Sequence, residues 1–174
     1  MTSQPTLRRR FYTLFLYFII FGFGGAAWLV RLPEIRRLLG VTTAELGWVL
    51  FAGAVGALIS LVSSGRFIAR FGARIAIISG FTALAAGQIV TGWAATSGSP
   101  IGVAIGGFIC GLAYGIGDVG INVEGAEQEK EAGRSLLPQL HGAFSLGTLS
   151  GALAGTLLVT IHFSILWQQI IVAA

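Results

Sequence analysis

Charge is scarce in this chain: of 174 residues, 10% are Asp, Glu, Lys or Arg, against about 25% in an ordinary soluble domain. So sparse a charged surface excludes the usual water-soluble globule. Cysteine is scarcer still. The single Cys110 has no partner in the chain, which rules out an internal disulfide framework. Also absent are a Gly-rich phosphate loop closing on Gly-Lys-Ser/Thr, an HExxH, a CxxC and a serine inside GxSxG. Those arrangements mark nucleotide, zinc, thiol and serine chemistry. Enzymatic chemistry is therefore not expected, and the sequence calls for no cofactor and no metal.

What the chain has instead is apolar length. Hydrophobic residues make up 55% of it and the mean hydropathy is +0.83. The apolar residues run in long blocks rather than at the short spacings of an amphipathic soluble fold. The expected fold is all-α, a polytopic transmembrane helical bundle whose solvent is the lipid bilayer. A formal net charge of +4 and a pI near 10.0 do not point to nucleic acid here. The ten arginines and one lysine sit between apolar blocks, where basic residues set membrane topology.

About 20 apolar residues at a 1.5 Å rise cross a hydrocarbon core of roughly 30 Å. Residues 11–30 form the first such run. Arg8, Arg9 and Arg10 ahead of it resemble the basic region of a cleaved signal peptide, but the run exceeds the usual apolar core of about 7–15 residues. Further spans are expected near 47–64, 74–95, 101–121 and 142–161. Residues 164–174 start another apolar segment too short to cross, so the chain reads as five spans and a truncated sixth, part of a longer protein. Residues 1–174 are expected to form a single transmembrane domain.

With the N-terminus inside, Arg8, Arg9, Arg10, Arg66, Arg70, Arg74, Lys130 and Arg134 face the cytoplasm, and Arg31, Arg36 and Arg37 face outward. The excess of inner cations favours that orientation. Residues 95–100 carry no charge and read as a tight outer turn. Residues 124–134 read as a helical-looking cytoplasmic connection. Gly107, Gly111 and Gly115 recur every fourth residue in the fourth span, and Gly147, Gly151 and Gly155 in the fifth. In lipid, helices associate through close backbone approach, so these stripes are expected to pack tightly against protein.

Positions 111, 115, 118 and 122 share one helical face. Asp118 and Asn122 thus extend the glycine stripe. An acid inside a membrane helix is costly to hold, which makes Asp118 a candidate proton or substrate group. The competing reading has Asp118 near the inner end of its span, satisfied by water. Trp28 and Arg31, three apart at the outer end of the first span, suit a polar-substrate wall. They equally suit interfacial anchoring, or pairing of Arg31 with Glu34. Pro33 is expected to end or bend that helix. His141, opening the fifth span, is either a proton-handling partner of Asp118 or a polar boundary residue. His162 reads as an outer turn residue.

Between the second and third spans, Gly65, Arg66, Arg70, Gly72 and Arg74 resemble the GxxxDRxGRR loop signature of the major facilitator superfamily, with Ala69 and Ala73 where the signature has an acid and a base. The stretches 28–35 and 117–125, with Gly133, Arg134, Pro138, His141, Phe144 and Gly147, resemble uncharacterised bacterial inner-membrane carriers related to the fucose:proton symporters. That resemblance implies the N-terminal half of a 12-helix carrier in a bacterial-type cytoplasmic membrane. It implies a gating loop at 65–74 and a proton-coupled acid at Asp118, with Asn122 four residues on. Such an acid also stands in the first span of fucose-type proteins, and none stands there in this chain. The implied activity is alternating-access transport of a small polar solute with protons, the opposing wall coming from a C-terminal half or a second copy. Two other readings remain: a stand-alone homo-oligomeric half-carrier or complex subunit, in which the glycine stripes serve self-association, and an efflux carrier for drug-like compounds.

Overall fold

In hydrocarbon each backbone polar group must find its partner within the protein, and a helix supplies all of them locally. The computed structural model, which describes residues 4–174 with side chains from Leu7 onward, follows that rule. Among the described residues the elements are α1 (Gln4–Leu29), α2 (Leu32–Leu39), α3 (Thr43–Phe71), α4 (Ala73–Thr96), α5 (Pro100–Ala132), α6 (Leu137–Thr160) and α7 (Ile165–Ala173). Five of them, α1, α3, α4, α5 and α6, are long and apolar enough to cross a membrane. The protein is a multi-pass membrane protein built of helices alone among the described residues.

The boundaries follow local chemistry. After α1 ends at Leu29, Pro33 sits in the first turn of α2, where its missing N–H costs nothing and its fixed φ favours a helix. The proline therefore opens a short surface helix. That helix buries Ile35 and leaves Arg36 and Arg37 exposed. Thr42 and Glu45 form a reciprocal capping box that starts α3. Gly72 alone separates α3 from α4 and has φ of 85°, a conformation that side chains resist. The turn before α7 holds His162, at φ of 54° the one non-glycine residue with positive φ among the described residues.

Two expected boundaries change. Gly65, Arg66 and Arg70 belong to the continuous helix α3 and Arg74 to the first turn of α4, so the expected gating loop shrinks to the single residue Gly72. Apolar and helix-compatible residues up to Phe71 leave no reason for the helix to stop sooner. The polar stretch after residue 121 is likewise not a separate connection. It continues α5 to Ala132, because Glu, Gln, Lys and Ala are strong helix formers and Gly133 ends the helix in the left-handed conformation.

Packing divides the bundle into interlocked sheaves. α5 lies between α3 and α4, α6 lies along α1, and α7 docks on α4. Hydrophobicity does not drive such contacts in lipid; close dispersion contact and hydrogen bonds do. A side chain at Gly111 would strike the Gly53 carbonyl, and one at Gly115 would meet Ser60 at 2.6 Å. On α6, side chains at Gly147, Gly151 and Gly155 would meet the backbone of Ile19, Phe23 and Ala27. The two stripes thus serve different partners, α3 and α1. Gly107 departs from the expected pattern, since a Cβ there would enter open space. A core of Leu14, Phe18, Phe21, Ile77, Leu84 and Ile121 fills the middle, and Trp28, Ile35, Leu46 and Val103 fill the end nearest α2.

Candidate functional site

α5 places Asp118 through its glycines. Gly117 lies against the Phe21 ring and Gly80, and Gly120 against Ile77, so the helix is clamped one residue before and two after the carboxylate. Asp118 itself is exposed among the described residues, while Gly111 and Gly115 are buried. The stripe expected to carry Asp118 into protein contact therefore splits. Its upper part packs on α3, and the carboxylate opens outward.

Asn122, one turn on, donates through Nδ2 to the Asp118 backbone carbonyl at 2.8 Å and to Asp118 Oδ1 at 3.3 Å. The amide therefore fixes one side of the carboxylate. His141, in the first turns of α6, lies within electrostatic reach of Asp118. Its imidazole stands edge-on to the buried Phe18 ring, centroids 5.6 Å apart at 76°. That contact with α1 fixes the ring while leaving the residue exposed. Carboxylate and amide thus meet on an open wall of the bundle, with the imidazole of α6 within electrostatic reach.

Tyr114 was not singled out by the sequence. It lies four residues before Asp118 on the same helix face, donates its hydroxyl to the Phe21 carbonyl at 3.2 Å and packs on the Phe21 ring at 4.5 Å. The spacing 114, 118, 122 was visible, but a tyrosine in an apolar helix carries no mark of its own.

Trp28 and Arg31 are not brought to this group. Phe21 is level with Gly117, and ten residues at 1.5 Å per residue separate Phe21 from Arg31 by roughly 15 Å along the bundle. Trp28 is 9% and Arg31 0% exposed. Arg31 Nη1 pairs with Glu34 Oε2 at 2.5 Å, and its Nε donates to Gln168 Oε1 at 2.8 Å. Of the expected alternatives for Arg31, the pairing with Glu34 is the one observed.

At the opposite end of the bundle, Arg10 of α1 forks onto Glu124 at 3.0 Å and Glu131 at 2.8 Å of α5. Glu129 Oε2 accepts the Leu136 and Leu137 amides at 2.8 and 2.9 Å. These amides start α6. They hold the Glu129 carboxyl below the usual carboxylate range, the Leu137 amide contributing most. At 33 residues α5 is about 50 Å long, well beyond a hydrocarbon core of roughly 30 Å, so Glu129 stands outside the membrane. Arg66, Arg70 and Arg74 are exposed and form no ion pair among the described residues. Nor do the described residues include a cluster of His, Cys, Asp and Glu fit to hold a metal.

The chain is thus a helical membrane bundle with a polar group on one open wall. Over 149 residues, 86% of this chain and 38% of the relative, it is 30% identical to an uncharacterised MFS-type transporter of Yersinia pestis. Over 161 residues, 90% of this chain and 41% of the relative, it is 30% identical to an uncharacterised transporter of Sinorhizobium fredii. The chain spans about two fifths of the length of these curated relatives. No protein-family model matches it, and no solved structure does. Over most of its own length, then, the chain is similar to part of an MFS-type transporter and part of a second transporter.

Proposed function

We propose that the chain is the N-terminal half of a secondary carrier that moves a small polar solute across the cytoplasmic membrane by alternating access, coupled to protons through Asp118. One observation carries this reading: the only aspartate of the chain stands exposed within a membrane-crossing helix, held by Asn122 and faced by His141. A bare carboxylate is costly to enclose in a low-dielectric bundle. Protonation removes that charge and lets the wall close against an opposing half. Deprotonation on the other side of the membrane favours reopening. The proton thereby biases an equilibrium between two states, which is all that coupling requires.

The opposing wall comes, on this reading, from the remaining length that the relatives possess, or from a second copy. The excess of arginines at the end that holds Arg8, Arg9, Arg66, Arg70 and Arg74 supports a cytoplasmic setting for that end. Gly65, Gly72 and the three arginines around them then form the inner gate. Trp28 and Arg31 serve as the rigid outer end of the path. Self-association through the glycine stripes is the weaker reading, because Gly111, Gly115, Gly147, Gly151 and Gly155 are already occupied by contacts within the bundle.

The test uses the full-length carrier in liposomes loaded with a pH-sensitive dye and offered a panel of sugars, organic acids and amines. Wild type is expected to take up protons with one of these classes. Asp118→Asn is expected to abolish proton uptake while solute exchange persists. Unchanged proton-driven uptake in Asp118→Asn would sink the proposal.

A further inference from the structure

One face of α4 is left uncovered by the rest of the bundle. Ala76, Ile77, Gly80, Leu84, Gly87 and Gln88 turn inward and are buried, while Ile75, Ile78, Thr82, Ala86, Ile89 and Trp93 are exposed. Arg74 and Trp93 end that face. Nineteen residues at 1.5 Å each set them about 28 Å apart, close to the thickness of a hydrocarbon core. An arginine at one boundary and a tryptophan at the other are the anchors expected of a helix face turned to lipid.

This face carries one shallow, open depression, a trough of about 420 Å³ lined by Ile75, Ile78, Ser79, Thr82, Ala83 and Ala86. Its lining is apolar, with small side chains at Ser79, Ala83 and Ala86. The trough begins one residue from Arg74, at the end of the bundle where Arg70 and Arg66 also stand exposed. Arg70 lies over the Phe71 ring at 5.4 Å, directly before the single-residue link Gly72.

None of these three cations has a carboxylate partner among the described residues. Glu124 and Glu131 are engaged by Arg10, Glu129 by the amides of α6, and Glu127 forms no ion pair. Position 69, between Arg66 and Arg70, is alanine. The group has cationic surplus at the membrane boundary and an apolar trough leading from it into the bilayer.

We propose that α4 and the end of α3 form a binding site for one anionic phospholipid, its acyl chain in the trough and its phosphate held by Arg70 and Arg74. Arg66, one turn from Arg70, extends the positive rim. The site needs both parts. An arginine near a membrane surface strengthens attraction to anionic lipid about fivefold, and the trough adds apolar contact that a free headgroup lacks.

The test is native mass spectrometry of the full-length protein released from detergent with dioleoyl phosphatidylglycerol or dioleoyl phosphatidylcholine. Wild type is expected to retain the glycerol lipid at least about fivefold more than the choline lipid. Arg70→Gln with Arg74→Gln is expected to erase that preference. Ala86→Phe, which fills the trough from an exposed position, is expected to lower retention of both lipids and leave the preference in place. Glycerol phosphate without acyl chains is expected not to compete. Preference surviving the arginine double variant would place the anion elsewhere and overturn the proposal. Competition by glycerol phosphate together with an inert Ala86→Phe would reduce the site to a surface anion contact and overturn it equally. If the double variant does not fold, Arg74→Gln alone carries the test, with about a fivefold loss of preference expected and no loss overturning the site.

Discussion

Arg31 and Gln168 stand 137 positions apart in the chain, yet the Arg31 Nε donates to Gln168 Oε1 across 2.8 Å. Gln168 in turn donates from Nε2 to the Ala27 carbonyl at 2.8 Å. The joint between α1 and α2 is thereby tied to α7. With Arg31 at 0% and Gln168 at 1% exposure, no water from outside competes for these bonds.

Glu34 supplies the counter-charge to that buried guanidinium. Glu34→Ala leaves the cation unpaired and is expected to cost about 3–5 kcal/mol. Replacing Arg31 and Glu34 together with apolar residues of similar size is expected to cost much less, because no buried charge remains. Thermal unfolding in detergent compares the two. Equal losses would mean that the ion pair does not hold the joint.

The glycine contacts predict opposite outcomes for residues of one stripe. Gly111→Ala is expected to destabilise by about 1–3 kcal/mol through overpacking, because its Cβ meets the Gly53 carbonyl. Gly107→Ala meets nothing and is expected to be neutral or slightly stabilising. The midpoint of thermal unfolding for each variant decides the matter. Similar losses at both sites would contradict the packing described.

Glu129 gives a pH dependence whose sign is fixed by its bonds. Its carboxyl is lowered in the folded protein by the Leu137 and Leu136 amides, so its stabilisation is present above the unfolded carboxylate value of about 4.3. It fades as pH falls through the lower, folded value. Stability measured from pH 7 down to 3 is expected to fall less steeply in Glu129→Gln than in wild type. Parallel curves would remove Glu129 as the cap of α6.

His141→Phe keeps an aromatic edge against Phe18 and removes the imidazole near Asp118. Folding is expected to be unchanged within about 1 kcal/mol. The pH profile of solute-dependent proton uptake is expected to shift. An unaltered profile would make His141 a packing residue only.

How much of this was legible varies with where each partner lies. α4 was readable almost to the residue, 74–95 against Ala73–Thr96, because Gly72 and Gly98 punctuate it at positive φ. The far end of α5 reads as a helical-looking connection, and what the sequence does not show is that it runs on unbroken from the span to Ala132. It continues as helix through residues of high helix propensity, and Arg10 ties it to α1 through Glu124 and Glu131. α2 escaped notice because a proline serves helix starts as readily as helix ends. Regular spacing revealed the glycine stripes, but only packing reveals that one lies on α3 and the other on α1, or that a Cβ at Gly107 would meet nothing. Arg31 next to Glu34 allowed a pair to be foreseen. Gln168 did not, being contributed by a distant helix.

The length of α5 has one further consequence. Roughly a third of this helix stands beyond the membrane, rigid to Ala132 and strapped by Arg10 to the start of α1. Because Arg10 fastens its far end to the start of α1 and Glu129 holds the first amides of α6, three helix ends are joined into one unit on the aqueous side of the bundle.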